Sequence, residues 1–498
     1  MTHSPLTILH VCSEMTPFAK AGGLADVVAA LAPTQARGGH EVHVVLPAYS
    51  GATHGCAVLE RRSTCVSMGV GEEWGAFLTL DGGSGVGVHL VEHDCFFGRG
   101  GLYHDDEMRD YDDNPRRFGF LCRAALQYCR DSGLSPDVVH AHDWQGALVP
   151  YYLRHWFWND PVLGRAASVL TIHNIAYQGV YPPSNSQYLG IAEDGFREWG
   201  FESFGALNLL KGGICFADAV NTVSPGHARE IVQPYQGFGL APYLAAKGER
   251  FTGILNGADY EHWSPESDTF ICTGFSRTYL EGKALCKKAL QERFGLEPDP
   301  RVCLVGMVGR FVEQKGFGLV AQIIDRVLSS MHVQFVVLGS GEREREAFFA
   351  DFSSRWSGKA GSWIGYSNEL AHQIEAGSDF FLMPSLFEPC GLTQMYALRY
   401  GTLPIVRATG GLSDTVRQYD ESSGEGTGFL FHDPLPDALY YTIGWAVSTW
   451  YDRRHHIDAM IQRAMEADFS WEESSRRYDV LYTAALQAKR DYDTSHLV

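Results

Sequence analysis

Short apolar runs recur along the chain, each closed by glycine or polar residues and most followed by sequence of helical character. Leu6–Cys12, Val42–Pro47, the run opening at Pro136 and Ser168–His173 make up the series in the first half. Arg301–Val308, Val333–Leu338, Phe380–Met383 and Leu403–Val406 repeat it in the second, with Trp363–Tyr366 short and extended. Runs of this length between breakers predict buried strands, and strands alternating with helices predict largely parallel sheets. A helix is expected after Gly23, with Val27, Val28 and Leu31 on one face, kinked or ended by Pro33. Others are expected after Asp112–Phe118, over 437–468, and from Ser470, where Glu473 completes a capping pattern. Residues 51–90 are too patchy to read as more than short strands and loops. The pattern predicts two α/β halves: a first domain over 1–250, a second over 251–465, and a C-terminal helix and tail over 466–498 that returns to the first.

Composition narrows the partners. A chain of 498 residues holds two or more domains, and no apolar run reaches the roughly eighteen residues of a membrane span. Met1–Leu6 lacks the basic and apolar segments of a secretory signal. Eleven cysteines are scattered with no C-x-x-C pair, as expected of reduced, mostly buried thiols in a cytoplasmic protein. The net charge of −19 disfavours nucleic acid and anionic membranes as partners. An anionic ligand would then need a locally basic site, so lysines and arginines beside glycine-rich loops carry the most information.

Three places carry candidate chemistry. In Lys20-Ala-Gly22-Gly23-Leu, after the first strand, glycines clear space and Lys20 adds charge beside a helix N-terminus, an arrangement that suits phosphate. It is neither a dinucleotide fingerprint nor a Walker loop, and by itself it is also an ordinary structural turn. At 384–401, Pro384 and Ser385 end a strand, Pro389 can begin a helix and Gly401 can cap it; the intervening loop holds Glu388, Cys390, Gly391 and Thr393. A thiol near a helix N-terminus favours the thiolate, so Cys390 is expected to react with thiol reagents. His140, His142, Asp143 and His173 sit at strand ends, where open α/β sheets bind ligands. They lack a compelling fourth metal ligand, and the neighbouring aromatics suit a sugar better, so no metal is expected.

Glu388-Pro-Cys-Gly-Leu-Thr-Gln followed by Tyr400-Gly-Thr-Leu-Pro resembles the signature of bacterial glycogen synthases and plastid starch synthases. Six further segments match in order: Lys20-Ala-Gly-Gly-Leu, His140-Ala-His-Asp-Trp, Thr171-Ile-His-Asn-Ile-Ala-Tyr-Gln-Gly, Leu255-Asn-Gly-Ala-Asp, Gly309-Arg with Gln314-Lys-Gly, and Thr409-Gly-Gly-Leu. Ala21 departs from the more usual Thr, and Tyr396 stands where the wider group carries a second Glu. The resemblance implies a GT-B glycosyltransferase, two Rossmann-like domains facing a central cleft. It implies retaining transfer of glucose from ADP-glucose to the non-reducing end of an α-1,4-glucan, glycogen or starch, without a cofactor. Arg310 and Lys315 would then neutralise the diphosphate, helped by N–H groups near Gly22, Gly23, Leu392 and Thr393. Lys20 would reach the phosphates or sugar from the other domain. Glu388 is implied on the donor glucose and His173 beside its anomeric centre, with Asp143 and Asn256 lining the same pocket and Tyr366 near the adenine. A related transferase using UDP-glucose or another acceptor remains open, as does a non-catalytic sensor, which the presence of Arg310, Lys315 and Glu388 disfavours.

Overall fold

The structure is a computed structural model; it describes residues 4–496 apart from 54, 82–84, 106 and 108. The chain divides into two compact units, one of residues 1–257 with 471–498 and one of residues 258–470.

The first unit is built on a nine-stranded sheet. Its strands run, edge to edge, Phe251–Gly253, Ala219–Thr222, Ala167–Ile172, Val138–His142, Thr7–Val11, Glu41–Pro47, Val86–Glu92, Gly71–Asp81 and Val58–Met68. Pairing is parallel as far as Val86–Glu92; the last two strands are antiparallel. Two corrections follow. Residues 58–81 are a long edge hairpin rather than short strands and loops, because its outer strand alternates exposed polar residues with inward Val66 and Met68 and so shows no apolar run. The first domain extends past 250, because Phe251–Gly253 pairs in parallel with Ala219–Thr222.

Helix Gly23–Arg37 runs through Pro33 and continues one further turn. It shares a buried cluster with the C-terminal helix Trp471–His496: Val27 and Leu31 from the one, Trp471, Tyr478, Leu481 and Tyr482 from the other, against Ile8, Val138, Val169 and Ala219 of the sheet. Gly257, the last residue before the chain leaves this unit, lies so close to Trp471 that a Cβ there would stand 2.5 Å from the indole.

The second unit carries a six-stranded sheet, parallel throughout: Ala360–Ile364, Val333–Gly339, Cys303–Val308, Phe380–Met383, Leu403–Arg407 and Phe429–Phe431. Phe335, Val337, Phe380, Leu382 and Ile405 are buried from this sheet, against helices Phe317–Ser330, Pro436–Asp452 and Arg454–Glu466. Among the described residues no helix is long and apolar enough to cross a membrane.

Candidate active site

Each unit gathers its polar motif residues at the carboxyl ends of its parallel strands, where open sheets leave backbone and side chains exposed to a ligand. In the first unit, Thr7–Val11 leads into Glu14, which sequence reasoning passed over. Its carboxylate accepts from the backbone N–H of Ala21 and, at 2.8 Å, of Gly22, and the Tyr103 hydroxyl donates to it. Glu14 therefore braces the glycine loop from behind. At Gly22 and Gly23 a Cβ would meet nothing within 4 Å, so the front of that loop is open. Lys20 is exposed and paired with Asp26 at 2.7 Å, a partner not anticipated from the motif.

His140 and His142 lie on strand Val138–His142, and Asp143 follows with φ +51°. That left-handed turn aims the Asp143 carboxylate at the backbone N–H of His173, 2.7 Å away. Burial pushes the Asp143 carboxyl up to about 7 despite the N–H groups of His173 and Asn174, which act the other way. Burial pushes His173 down to about 3, so its ring is neutral. Asn256 is buried and its Oδ1 has no hydrogen-bond partner among the described residues. The ligand-type nitrogens of His10, His140 and His142 lie within 4.8 Å of one another. All six ring nitrogens are engaged, with Gln35, Tyr482, Thr171, His173 or one another, so an ion would have to displace existing hydrogen bonds.

In the second unit, Cys303–Val308 leads to Gly309 and exposed Arg310, then to a short 3-10 turn Glu313–Lys315. The neighbouring strand Phe380–Met383 leads to Pro384–Glu388. These two loops are locked together. The N–H of Leu386 donates to the Gln314 carbonyl at 2.8 Å, and the Gln314 amide to the Phe387 carbonyl at 3.2 Å. Gly316, at φ +73°, lets the turn close; a Cβ there would stand 2.0 Å from the Pro384 oxygen. From the other side Gly410, at φ +44°, packs its Cα where a Cβ would meet the Glu388 carbonyl at 2.0 Å, and the N–H of Gly411 donates to that carbonyl at 3.1 Å.

The clamp fixes Glu388. The Lys315 ammonium stands 2.6 Å from its Oε2, and the Ser385 hydroxyl donates to the same oxygen at 3.1 Å. Oε1 has no partner among the described residues. The sequence reading assigned Lys315 to phosphate and Glu388 to sugar as separate groups; here they are one pair. Two further expectations change. The helix begins at Thr393, four residues after Pro389, and spans only Thr393–Arg399 with Leu392 at its cap. Cys390 is buried, which works against the reactivity towards thiol reagents expected of it. Tyr366 is 86% exposed, on the loop after Ala360–Ile364. Tyr396 stacks on Trp263 with centroids 4.3 Å apart, an aromatic core contact in place of a second carboxylate.

Comparison with known proteins decides the family. Residues 7–246 match the starch synthase catalytic domain and residues 289–463 match glycosyl transferases group 1. Glycogen synthase 1 of Geobacter sulfurreducens is 48% identical over 488 residues, covering 97% of each chain. The chain belongs to the glycogen and starch synthase family. Glycogen synthase of Treponema denticola is 43% identical, covering 97% of this chain and 99% of the relative. Among solved structures, the catalytic domain of starch synthase IV from Arabidopsis thaliana superposes with a TM-score of 0.86 at 34% identity, covering 97% of this chain and all of the other. The protein is thus a GT-B glucosyltransferase of glycogen or starch synthesis.

Proposed function

We propose that this glycogen and starch synthase family member is a retaining enzyme that moves glucose from ADP-glucose to the 4-hydroxyl at the non-reducing end of an α-1,4-glucan in the cytoplasm. The observation that carries the reading is the Lys315–Glu388 pair, with Oε2 saturated by Lys315 and Ser385 and Oε1 left to accept from a ligand. Starch synthase IV, described as bound to ADP and acarbose, supports the adenine nucleotide as the donor's leaving part.

As the glycosidic bond breaks, negative charge grows on the departing diphosphate. Arg310, exposed and with no side-chain partner among the described residues, and the Lys315 ammonium answer it. Lys20 does the same by exchanging Asp26 for phosphate, with the N–H groups around Gly22, Gly23, Gly391, Leu392 and Thr393. Glu388 Oε1 accepts sugar hydroxyls; His173, Asp143 and Asn256 take others, and Tyr366 lies along the adenine. No side chain is assigned as a covalent nucleophile, so retention comes from front-face displacement, the leaving phosphate taking the proton of the incoming hydroxyl.

The test is to incubate the enzyme with glycogen and either ADP-glucose or UDP-glucose, measure nucleotide released, and digest the product with an α-1,4-specific amylase. Faster turnover with ADP-glucose and a digestible product are expected. Preference for UDP-glucose would overturn the donor, and no release from either would overturn the reading.

A further inference from the structure

One face of the first unit's sheet carries a polar band in a region that is otherwise apolar core. Strand register puts His10 beside His140, His142 beside Thr171, and Thr171 beside Asn221. All five are fully buried. Helix Gly23–Arg37 contributes Gln35 and the C-terminal helix contributes Tyr482. Burial lowers His10 to about 4 and His140 and His142 well below the usual imidazole range, so each ring is neutral, with one nitrogen donating and the other accepting.

The direction of the bonds can be followed from Gln35. Its Nε2 donates to the Tyr482 hydroxyl at 2.7 Å, which turns its Oε1 to His10 Nε2 at 2.8 Å. An amide oxygen only accepts, so His10 Nε2 bears the proton and His10 Nδ1 does not. His10 Nδ1 therefore accepts from His142 Nε2 at 3.0 Å, and His142 Nδ1 in turn accepts from His173 Nε2 at 3.0 Å. A second branch gives the same polarity. The Tyr482 oxygen accepts from Gln35, so its proton goes to His140 Nδ1 at 2.8 Å. His140 Nε2 donates to Thr171 at 2.6 Å, and Thr171 donates to Asn221 Oδ1 at 2.7 Å. The Asn221 amide is oriented by its own Nδ2, which donates to the Thr222 carbonyl and the Tyr478 hydroxyl, both at 3.4 Å. Reversing the network would require both amides to turn over.

We infer that Gln35, His10 and His142 are positioning residues that hold His173 as its Nε2–H tautomer and present its Nδ1 as a hydrogen-bond acceptor to a substrate hydroxyl. The acceptor role rests on the proposed function; the tautomer does not. Unlike a surface histidine, whose tautomer follows its ligand, His173 is set before anything binds, by an amide two rings away. A sugar hydroxyl that meets it must donate.

Neutron diffraction from perdeuterated crystals of the full chain reads the tautomers directly. Deuterium on Nε2 and none on Nδ1 of His10, His142 and His173 is expected; deuterium on Nδ1 of His173 overturns the inference. Two variants test the relay. Gln35→Leu removes the anchor and should lower kcat about tenfold, the cost of one misdirected hydrogen bond. Gln35→Glu, buried and protonated, keeps a carbonyl for His10 and an O–H for Tyr482, and should recover activity to within about threefold of the parent. Equal loss in both variants overturns the relay. If deuterium lies on Nε2 of His173 but His173→Ala transfers glucose at the parental rate, the tautomer stands and the assignment of His173 to the substrate falls.

Discussion

The ammonium of Lys315 and the carboxylate of Glu388 sit 2.6 Å apart on loops that follow adjacent parallel strands. Both are largely withdrawn from water, with 24% and 7% of their side chains exposed. A half-buried pair of this kind costs more to break from one side than to remove altogether. The two residues should therefore behave as a unit. Glu388→Ala should lower kcat by about two to four decades, the loss of two charge-assisted hydrogen bonds strengthened in the transition state. Glu388→Gln should fall less. Lys315→Ala should also fall, and the double variant should be no worse than the poorer single one. A double-mutant cycle on kcat checks this; strictly additive losses would separate the two groups.

Activity should survive a chelator. On the proposed function Arg310 and Lys315 would supply the positive charge the diphosphate needs, so turnover in excess EDTA should match turnover in added Mg²⁺ to within about twofold. Loss in EDTA with recovery on adding the ion would show that the cations do not suffice.

Stability should fall steeply in mild acid. His10 and His173 titrate near 4 and 3 in the folded chain, and His140 and His142 also far below the ordinary imidazole value, all because burial penalises the charged ring. Unfolded, each titrates near 6.5. Between those values the unfolded chain binds more protons, so stability rises with pH there and is lost as pH falls below about 6.5. Each such ring costs about 1.4 kcal/mol per pH unit. Asp143, held up near 7, and Glu375, raised well above the usual carboxylate range by burial, have the opposite sign and favour the folded chain as pH drops, but the lowered rings, joined by His89 near 3 and by His155, outnumber them. Tm measured from pH 6.5 down to pH 5 should drop. A flat profile to pH 5 would mean the rings are solvated.

Deleting 471–498 should unfold the first unit rather than trim it. Trp471, Tyr478, Leu481 and Tyr482 complete a cluster with Ile8, Val138 and Val169, and burying each large side chain is worth about 2 kcal/mol or more. Their sum, about 8 kcal/mol, is comparable with the whole margin of a typical domain. Two calorimetric transitions in the whole chain should become one in the truncated chain.

Much of this was legible beforehand, and the failures share a cause. The strands with unbroken apolar runs, such as Phe380–Met383, were read correctly because parallel strands are buried on both faces. The hairpin 58–81 was not, since one face of it meets water and its pattern dilutes into the surrounding polar sequence. At the site, residue types and order pointed to Glu388, Lys315 and His173. What no sequence window could give was pairing across loops: Lys315 with Glu388, Lys20 with Asp26, Glu14 beneath Ala21 and Gly22. His140 was singled out but its neighbour His10 was not, because their contact depends on the order of strands far apart in the chain. Pro33 does not end its helix, since its cost is local and the helix around it is held by a buried face.

The placement of Trp471–His496 has a bearing on the birth of the chain. Residues 258–470 form an uninterrupted stretch and can mature as soon as they leave the ribosome. The first unit, although synthesised earlier, waits for the last helix before Ile8, Val138 and Val169 are covered and before Gln35 and His140 receive the Tyr482 hydroxyl. The part translated second is thus free to finish first. The earlier part must hold its apolar face unmated through some two hundred further residues of elongation, which makes that interval its period of greatest exposure to aggregation and to chaperones.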